Sequence, residues 1–231
     1  MSSSPQNSAL VLLSGGQDST TCLYWSLSRF EQIEALCFDY QQRNRVELES
    51  AKKVAEIAQV PLHILPINTF AAIGGDSLTD AHIPVEHRGI IEKGEPLPNS
   101  FVPGRNLIFL TFASAFAYRK GFTHLVTGVC ETDFSGYPDC RADSIASLQQ
   151  TIRLGMEYPI TIHTPLMGLT KAEAVKLARQ LGASEALAWT HTCYEGKIPP
   201  CGECPSCLLR ARGFAEAGVE DPLLLRLNKR V

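Results

Sequence analysis

Four short apolar runs, at residues 9–13, 33–38, 61–65 and 124–127, alternate with stretches of helical periodicity. This alternation constrains the fold more than any single motif. The runs are too short for core helices and have the continuous aliphatic character of strands buried on both faces, as in a parallel sheet. Helical patterns cover residues 19–29, 46–58 and 105–120. In the second of these Val46, Ala51, Val54, Ala55 and Ala58 form one apolar stripe, with Glu47, Glu49, Lys52 and Lys53 facing outward. Residues 170–181 begin with a capping-box pattern, Thr170 with Glu173, ahead of an apolar face. The expected fold is α/β: an open parallel sheet flanked by helices, with right-handed crossovers and a ligand site beyond the carboxyl ends of the strands. At 231 residues and 45% hydrophobic, the chain has enough apolar material for one domain. That domain is expected to span residues 9–185, with residues 186–231 forming a zinc-binding helical appendage packed on it. Residues 66–104, rich in Pro, Gly and Asp, read as an extended segment near the site.

The first strand leads directly into Ser14-Gly15-Gly16-Gln17-Asp18-Ser19-Thr20-Thr21, which opens the first helix pattern. Glycines let the backbone turn tightly and approach an anion, and a helix start offers unpaired N–H groups and the positive end of its dipole. Ser14, Ser19 and Thr20 add hydroxyl donors. The string has neither the lysine of a Walker A loop nor the third glycine of a dinucleotide fingerprint. It resembles the pyrophosphate loop of ATP pyrophosphatases, which implies that it holds the β and γ phosphates of ATP and leaves the α phosphate open to attack. The alternative is a turn that only joins strand to helix.

Composition excludes several function classes. Lys and Arg number 21 against 24 Asp and Glu, a formal charge of −3, so no global field favours nucleic acid or an anionic membrane. The longest mostly apolar stretch, residues 107–118, falls short of the roughly 20 residues that span a bilayer. Residues 1–8 are small and polar and read as a disordered start rather than a signal peptide, so a cytoplasmic location is expected. In that setting the eight cysteines are expected as thiols. Cys193, Cys201, Cys204 and Cys207 have seven, two and two residues between them, a spacing that lets four thiolates converge on one tetrahedral zinc ion. Four protein ligands leave no vacancy for water or substrate, so the expected role is structural. An iron–sulfur cluster and a redox thiol pair are the competing readings. Cys22 and Cys37 read as small core residues, and Cys140 lacks an adjacent base.

Three further strings carry more special residues than connectors need: Asn99-Ser100-Phe101-Val102-Pro103-Gly104-Arg105-Asn106, Gly128-Val129-Cys130-Glu131-Thr132-Asp133 and Gly136-Tyr137-Pro138-Asp139-Cys140-Arg141. Together with the loop and the four cysteines, they closely resemble the 7-cyano-7-deazaguanine synthase family over roughly residues 10–212. The resemblance implies a soluble, homodimeric zinc enzyme that takes 7-carboxy-7-deazaguanine, ammonia and ATP to the 7-cyano base, with Mg2+ on the nucleotide and no nucleic acid or membrane partner. It implies ATP contacts from Leu13, Ser14, Gly15, Gly16, Gln17, Asp18, Ser19, Thr20, Thr21, Gly104, Arg105 and Gly128, and catalytic roles for Asp18, Arg105, Glu131 and Asp133. Substrate contacts fall to Glu131, Asp133, Phe134, Tyr137, Asp139 and Arg141. Asp18 is read as positioning magnesium or the loop, and Arg105 either as neutralising the leaving phosphate or as a surface arginine. Glu131, Asp133 and Asp139 are read as magnesium ligands or as partners of the guanine-like edge, Phe134 and Tyr137 as stacking platforms, and Asp143 as the cap of a following helix. Two positions depart from the family's Tyr-Gly-Gln-Arg-His pattern, where this chain has Tyr40-Gln41-Gln42-Arg43-Asn44. Asn44 cannot carry a proton as imidazole can, and it is read as a change behind the residues that touch the ligand. A tRNA-thiolating adenylating enzyme and a non-enzymatic zinc module for nucleic acid are rivals from other classes. The first requires a basic surface and a catalytic cysteine pair, the second Lys and Arg near the cysteines.

Overall fold

A computed structural model of the chain describes residues 7–87, 96–131 and 137–228. Five strands, β1 (Ser8–Leu12), β2 (Gln32–Asp39), β3 (Leu62–Pro66), β4 (His124–Val126) and β5 (Thr161–His163), form one sheet in the order β3-β2-β1-β4-β5, every pair parallel. The order reverses at β1, whose neighbours on its two sides are β2 and β4. That reversal opens a crevice beyond the carboxyl ends of β1 and β4, the general ligand position in such sheets. The Ser-Gly loop follows β1 and lies in this crevice.

Side-chain alternation along β1 divides the core into two layers. Ala9, Val11 and Leu13, all fully buried, face α1 (Gln17–Leu27) and α2 (Val46–Ile57), meeting Cys22, Leu23, Ala51 and Val54. Leu10, Leu36 and Leu125 face the other way, toward Leu110, Ala113 and Ala117 of α4 (Arg105–Lys120) and Ile145 and Ile152 of α5 (Ala142–Met156). Within α2, Ala51, Val54 and Ala55 take the buried stripe as expected, and Leu48 joins them in place of Val46 and Ala58. Helix α6 (Lys171–Gln180) starts with the reciprocal capping box: Glu173 N–H donates to the Thr170 hydroxyl, and the Glu173 carboxylate accepts from Thr170 N–H at 2.8 Å. Among the described residues no helix is long and apolar enough to cross a membrane.

Several expectations change. β1 begins at Ser8, which is buried, one residue earlier than its apolar run. Helix α1 begins at Gln17, so the turn ahead of it is shorter than the run of glycine and hydroxyl residues suggests. The segment read as extended contains the short helix α3 (Thr69–Ile73) and packs Phe70, Leu78, Val85 and Val102 into the protein. Buried Asp76 organises its turn by accepting from the N–H groups of Leu78 and Thr79 and the Thr79 hydroxyl. These apolar anchors stand singly and produce no periodicity.

The C-terminal part contributes α7 (Ser184–Leu187), α8 (Pro205–Ala217) and α9 (Pro222–Asn228). Arg210 on α8 pairs with Asp221 through Nε and Nη2, at 2.6 and 2.8 Å, and Nη1 donates to Thr190 at 2.8 Å. Both partners of the ion pair are buried, at 5% and 8% exposure. Asp221→Ala strands a guanidinium without its counter-charge and is expected to cost about 3–5 kcal/mol. Glu216→Ala, which breaks the exposed Arg212 pair on the same helix, is expected to cost less than about 1 kcal/mol. Denaturant midpoints for the two variants check the contrast. At the end of β2, Gln41 holds a φ of 61°, where glycine is free of strain, and Asp39 and Asn68 hold it through hydrogen bonds of 3.2 and 3.3 Å. Gln41→Gly is expected to raise the thermal midpoint, since it relieves roughly 1–2 kcal/mol of left-handed strain against the roughly 0.5–1 kcal/mol that glycine costs in chain entropy, and calorimetry reads the sign.

Candidate active site

Gly16 is the N-cap of α1, and the first bond inside the helix runs from Thr20 N–H to the Gly16 carbonyl at 3.1 Å. The N–H groups of Gln17, Asp18 and Ser19 therefore lie ahead of the helix ladder, where an anion can accept them. The Ser14 and Ser19 hydroxyls are 3.1 Å apart at the same point. A cavity of about 300 Å3 opens in front of the turn, lined by Leu13, Ser14, Gly16, Gln17, Asp18, Ser19 and Gly128. Gly128 follows β4, and a Cβ there would lie 3.1 Å from the Asp18 carbonyl carbon and the Ser19 nitrogen, so the strand end approaches the helix start because it lacks a side chain. Thr20 and Thr21 turn their hydroxyls back onto the carbonyls of Gly16 and Gln17, at 2.8 and 2.9 Å, and serve the helix rather than the cavity. Gly15 packs behind the turn against α2.

Lys171, at the start of α6, also lines the cavity, and its Nζ donates to Asp18 Oδ2 at 2.8 Å. The lysine follows the capping Thr170, so in the sequence its position reads as part of a helix start. Arg105 stands at the N-terminus of α4 on the far wall and donates to the Tyr40 hydroxyl at 3.1 Å, so it is not a surface arginine. Gly104 is the N-cap of the same helix. Tyr40, Phe109, Tyr137 and Tyr194 add aromatic wall. Tyr137 is buried, bonded to the Ser100 hydroxyl at 2.8 Å.

Other acidic residues lie elsewhere. Buried Asp139 accepts the Asn106 N–H at 2.9 Å, in the first turn of α4. Glu131 accepts the Ala142 N–H at 2.7 Å and so caps α5, the task expected of Asp143. Arg141 is exposed at the N-cap of α5. None of these three lines the cavity among the described residues. Asp133 and Phe134 lie outside the described residues.

Glu47 is a correction to the helical pattern. It lines the cavity instead of facing solvent, and burial pushes its carboxyl up to about 7, with Arg105 and the Asn44 amide pulling the other way. Asn44 is another correction: its side chain lines the cavity, 4% exposed, beside the Glu47 carboxyl, and neither amide atom makes a well-formed hydrogen bond among the described residues. Asn44 lies two residues ahead of α2, and its carbonyl accepts the Glu47 N–H at 3.3 Å, which keeps the two residues together.

The sulfur atoms of Cys193, Cys201, Cys204 and Cys207 all lie within 4.8 Å of one another, and three of the four residues are buried. Hydrogen bonds from Cys204 and Cys207 hold the Cys193 thiol well below its usual range. Backbone N–H groups of Glu203 and Cys204 donate to the Cys201 sulfur at 3.5 and 3.4 Å, as expected around thiolates held for a metal ion. The donor set fits a closed four-thiolate metal site. Two residues ahead of Cys193, His191 N–H donates to the Gly15 carbonyl at 3.0 Å and ties this segment to the Ser-Gly-Gly turn.

A parallel sheet with a Ser-Gly-Gly turn at its switch point defines the class, an open α/β protein with helices on both faces of the sheet. One solved structure that shares the fold is a 4-thiouridine synthetase–RNA complex with bound ATP, with a TM-score of 0.54 and 18% identity over 97% of this chain and 50% of that one. The family model described as queuosine biosynthesis protein QueC matches residues 8–218, and the chain belongs to this family. Relatives named 7-cyano-7-deazaguanine synthase include those of Chromobacterium violaceum, 60% identical over 98% of this chain and 97% of its own, and Laribacter hongkongensis, 58% identical over 95% of each. The Bacillus subtilis relative of the same name is 51% identical over 90% of this chain and 94% of its own.

Proposed function

We propose that the chain is a 7-cyano-7-deazaguanine synthase that uses ATP to convert 7-carboxy-7-deazaguanine and ammonia to the 7-cyano base, a precursor of queuosine. Family membership supports the substrate, and the phosphate-binding turn facing the lined cavity is the observation that carries the ATP dependence. A carboxylate oxygen does not leave as oxide at neutral pH, so both oxygens must be activated on the way to a nitrile. The substrate carboxylate attacks the α phosphate, ammonia displaces AMP to give the amide, and a second adenylation allows dehydration. Ser14, Gly16, Gln17 and Ser19 hold the pyrophosphate portion, and Lys171 adds positive charge beside it. Asp18 orients Lys171 and, with Mg2+, the phosphates. Arg105 neutralises charge across the cavity. Asp133 and Phe134 stay candidates for contacts to the base.

The four cysteines hold Zn2+, which when bound supplies structural cross-linking and no open coordination position. Residues 186–231 form this zinc-bound appendage on the α/β body. The working protein is a cytoplasmic homodimer acting on small molecules. Incubation with ATP, Mg2+, ammonium and 7-carboxy-7-deazaguanine, followed by mass spectrometry, is expected to give AMP, pyrophosphate and the cyano base. Release of ADP in place of AMP, or absence of the cyano base from folded, metal-loaded protein, would refute the reading.

A further inference from the structure

Beyond the Ser-Gly-Gly turn and Lys171, the cavity contains a second polar cluster, Glu47 and Asn44, with Arg105 opposite. Glu47 is a half-buried carboxyl with no ion-pair partner among the described residues, although Arg105 stands across the cavity. Beside it the Asn44 amide is 96% removed from solvent and bears on the Glu47 carboxyl, with no well-formed hydrogen bond to either amide atom among the described residues, a costly arrangement unless a ligand supplies the missing bonds. Asn44 and Glu47 both line the cavity that the turn faces, and the Glu47 backbone packs against Gly15, so the cluster lies beside the turn.

We propose that Glu47, assisted by Asn44, is the residue that seats the amine nucleophile and takes up the proton it releases. The inference rests on the functional reading above. Ammonia offers only N–H donors and one lone pair, so a seat for it requires acceptors, and the Glu47 carboxylate and Asn44 Oδ1 supply them. As the nitrogen lone pair forms the C–N bond to the activated carbonyl carbon, the C–O bond to the phosphoryl group breaks and AMP leaves with that electron pair. A proton on the nitrogen passes to a Glu47 oxygen. A carboxyl displaced upward by burial, to about 7, is matched to a base working near neutral pH. The groups facing it are Asn44 beside it, Arg105 from α4, Cys37 and Tyr40 from β2 and its end, and Cys193 from the cysteine segment; Arg105 and the Asn44 amide favour its charged form, while Cys37 and Tyr40 are both pushed up to about 12 by burial and stay neutral.

Two partial reactions test this assignment in the full-length, metal-loaded protein. Substrate-dependent exchange of pyrophosphate into ATP needs no ammonia, so Glu47→Gln is expected to leave it within about twofold of the parent while amide and nitrile formation from ammonium falls about 100-fold. Hydroxylamine is neutral near pH 7 and needs less help in losing its proton, and it is expected to restore most of the lost turnover as hydroxamate. Asn44→Leu, which keeps volume and removes the amide, is expected to raise the KM for ammonium severalfold with exchange intact, and it stands as the test if Glu47→Gln does not fold. If exchange is lost and the KM for the deazaguanine acid rises instead, the pair reads the base edge and the proposal fails. If hydroxylamine does not rescue Glu47→Gln with exchange intact, it also fails. Absence of exchange in the parent would overturn the functional reading, and this inference with it.

Discussion

Gly15→Ala is expected to reduce ATP-dependent turnover about 100-fold or more while leaving the sheet in place, because a misplacement of about 1 Å in positioning groups costs that much. The physical cause is local. Gly15 has a φ of 86°, in the left-handed region, and a Cβ built there overlaps the Glu47 carbonyl oxygen and lies 2.6 Å from the Ala51 nitrogen. Both obstacles are backbone within the first turns of α2, which is fixed by buried Leu48, Ala51 and Val54. A flexible side chain could swing aside, but a helix backbone cannot, so the turn must lift away from α2. The move stretches the 3.0 Å bond from His191 to the Gly15 carbonyl and displaces the Ser14 hydroxyl from Ser19. Left-handed backbone at an alanine adds roughly 1–2 kcal/mol of strain. Gly16 provides the contrast: its nearest obstacle is the Ser14 hydroxyl at 3.4 Å, and it has extended backbone, so Gly16→Ala is expected to lose less. Pyrophosphate exchange and thermal unfolding on the two variants separate a displaced turn from a general loss of stability. Equal loss in both would show that the conformation of Gly15 is not what holds the turn.

How much of this was legible in sequence depends on whether a feature is local. The bounds of α4 and the Thr170 capping box follow from periodicity and from spacing within one turn, and both stand as read. β5 was missed because Thr161–His163 is a three-residue edge strand, half-buried throughout, with no apolar run to mark it. Glu131 and Asp139 show why acidic residues in loops mislead: a carboxylate ahead of a helix suits a metal, a base edge or an orphan N–H equally well, and here both take N–H groups of a helix's first turn. Glu47 shows the converse. On a helical wheel it falls on the polar side, but the first turn of α2 packs against the Ser-Gly-Gly turn and lines the cavity, so polar side and cavity coincide there. Lys171 and Asp18 are 153 residues apart, and no single-sequence pattern reports such a pair.

Cys204→Ser is expected to abolish tight metal binding and to unfold the C-terminal segment before any chemical step is touched. Structural zinc contributes about 10–16 kcal/mol of apparent binding free energy in small zinc-finger peptides, and most of that depends on a complete thiolate set. A serine hydroxyl does not ionise near neutral pH, so three ligands remain, Cys193, Cys201 and Cys207, and Cys193 loses the Cys204 thiol that does most to hold its own thiol low. Losing even about 4 kcal/mol lowers the thermal midpoint by roughly 8–16 °C in a chain of this size. The change reaches the nucleotide as well: the segment that carries Cys193 holds the Gly15 carbonyl through His191, so the KM for ATP is expected to rise as the segment loosens. Cys37→Ala is the control, since burial pushes that core thiol up to about 12 and leaves it unsuited to metal; the variant should retain full metal content. Metal stoichiometry by mass spectrometry, with calorimetry on the same samples, reads both effects. A Cys204→Ser protein that keeps its metal and its midpoint but loses turnover would place this thiol in the chemistry and overturn the structural role.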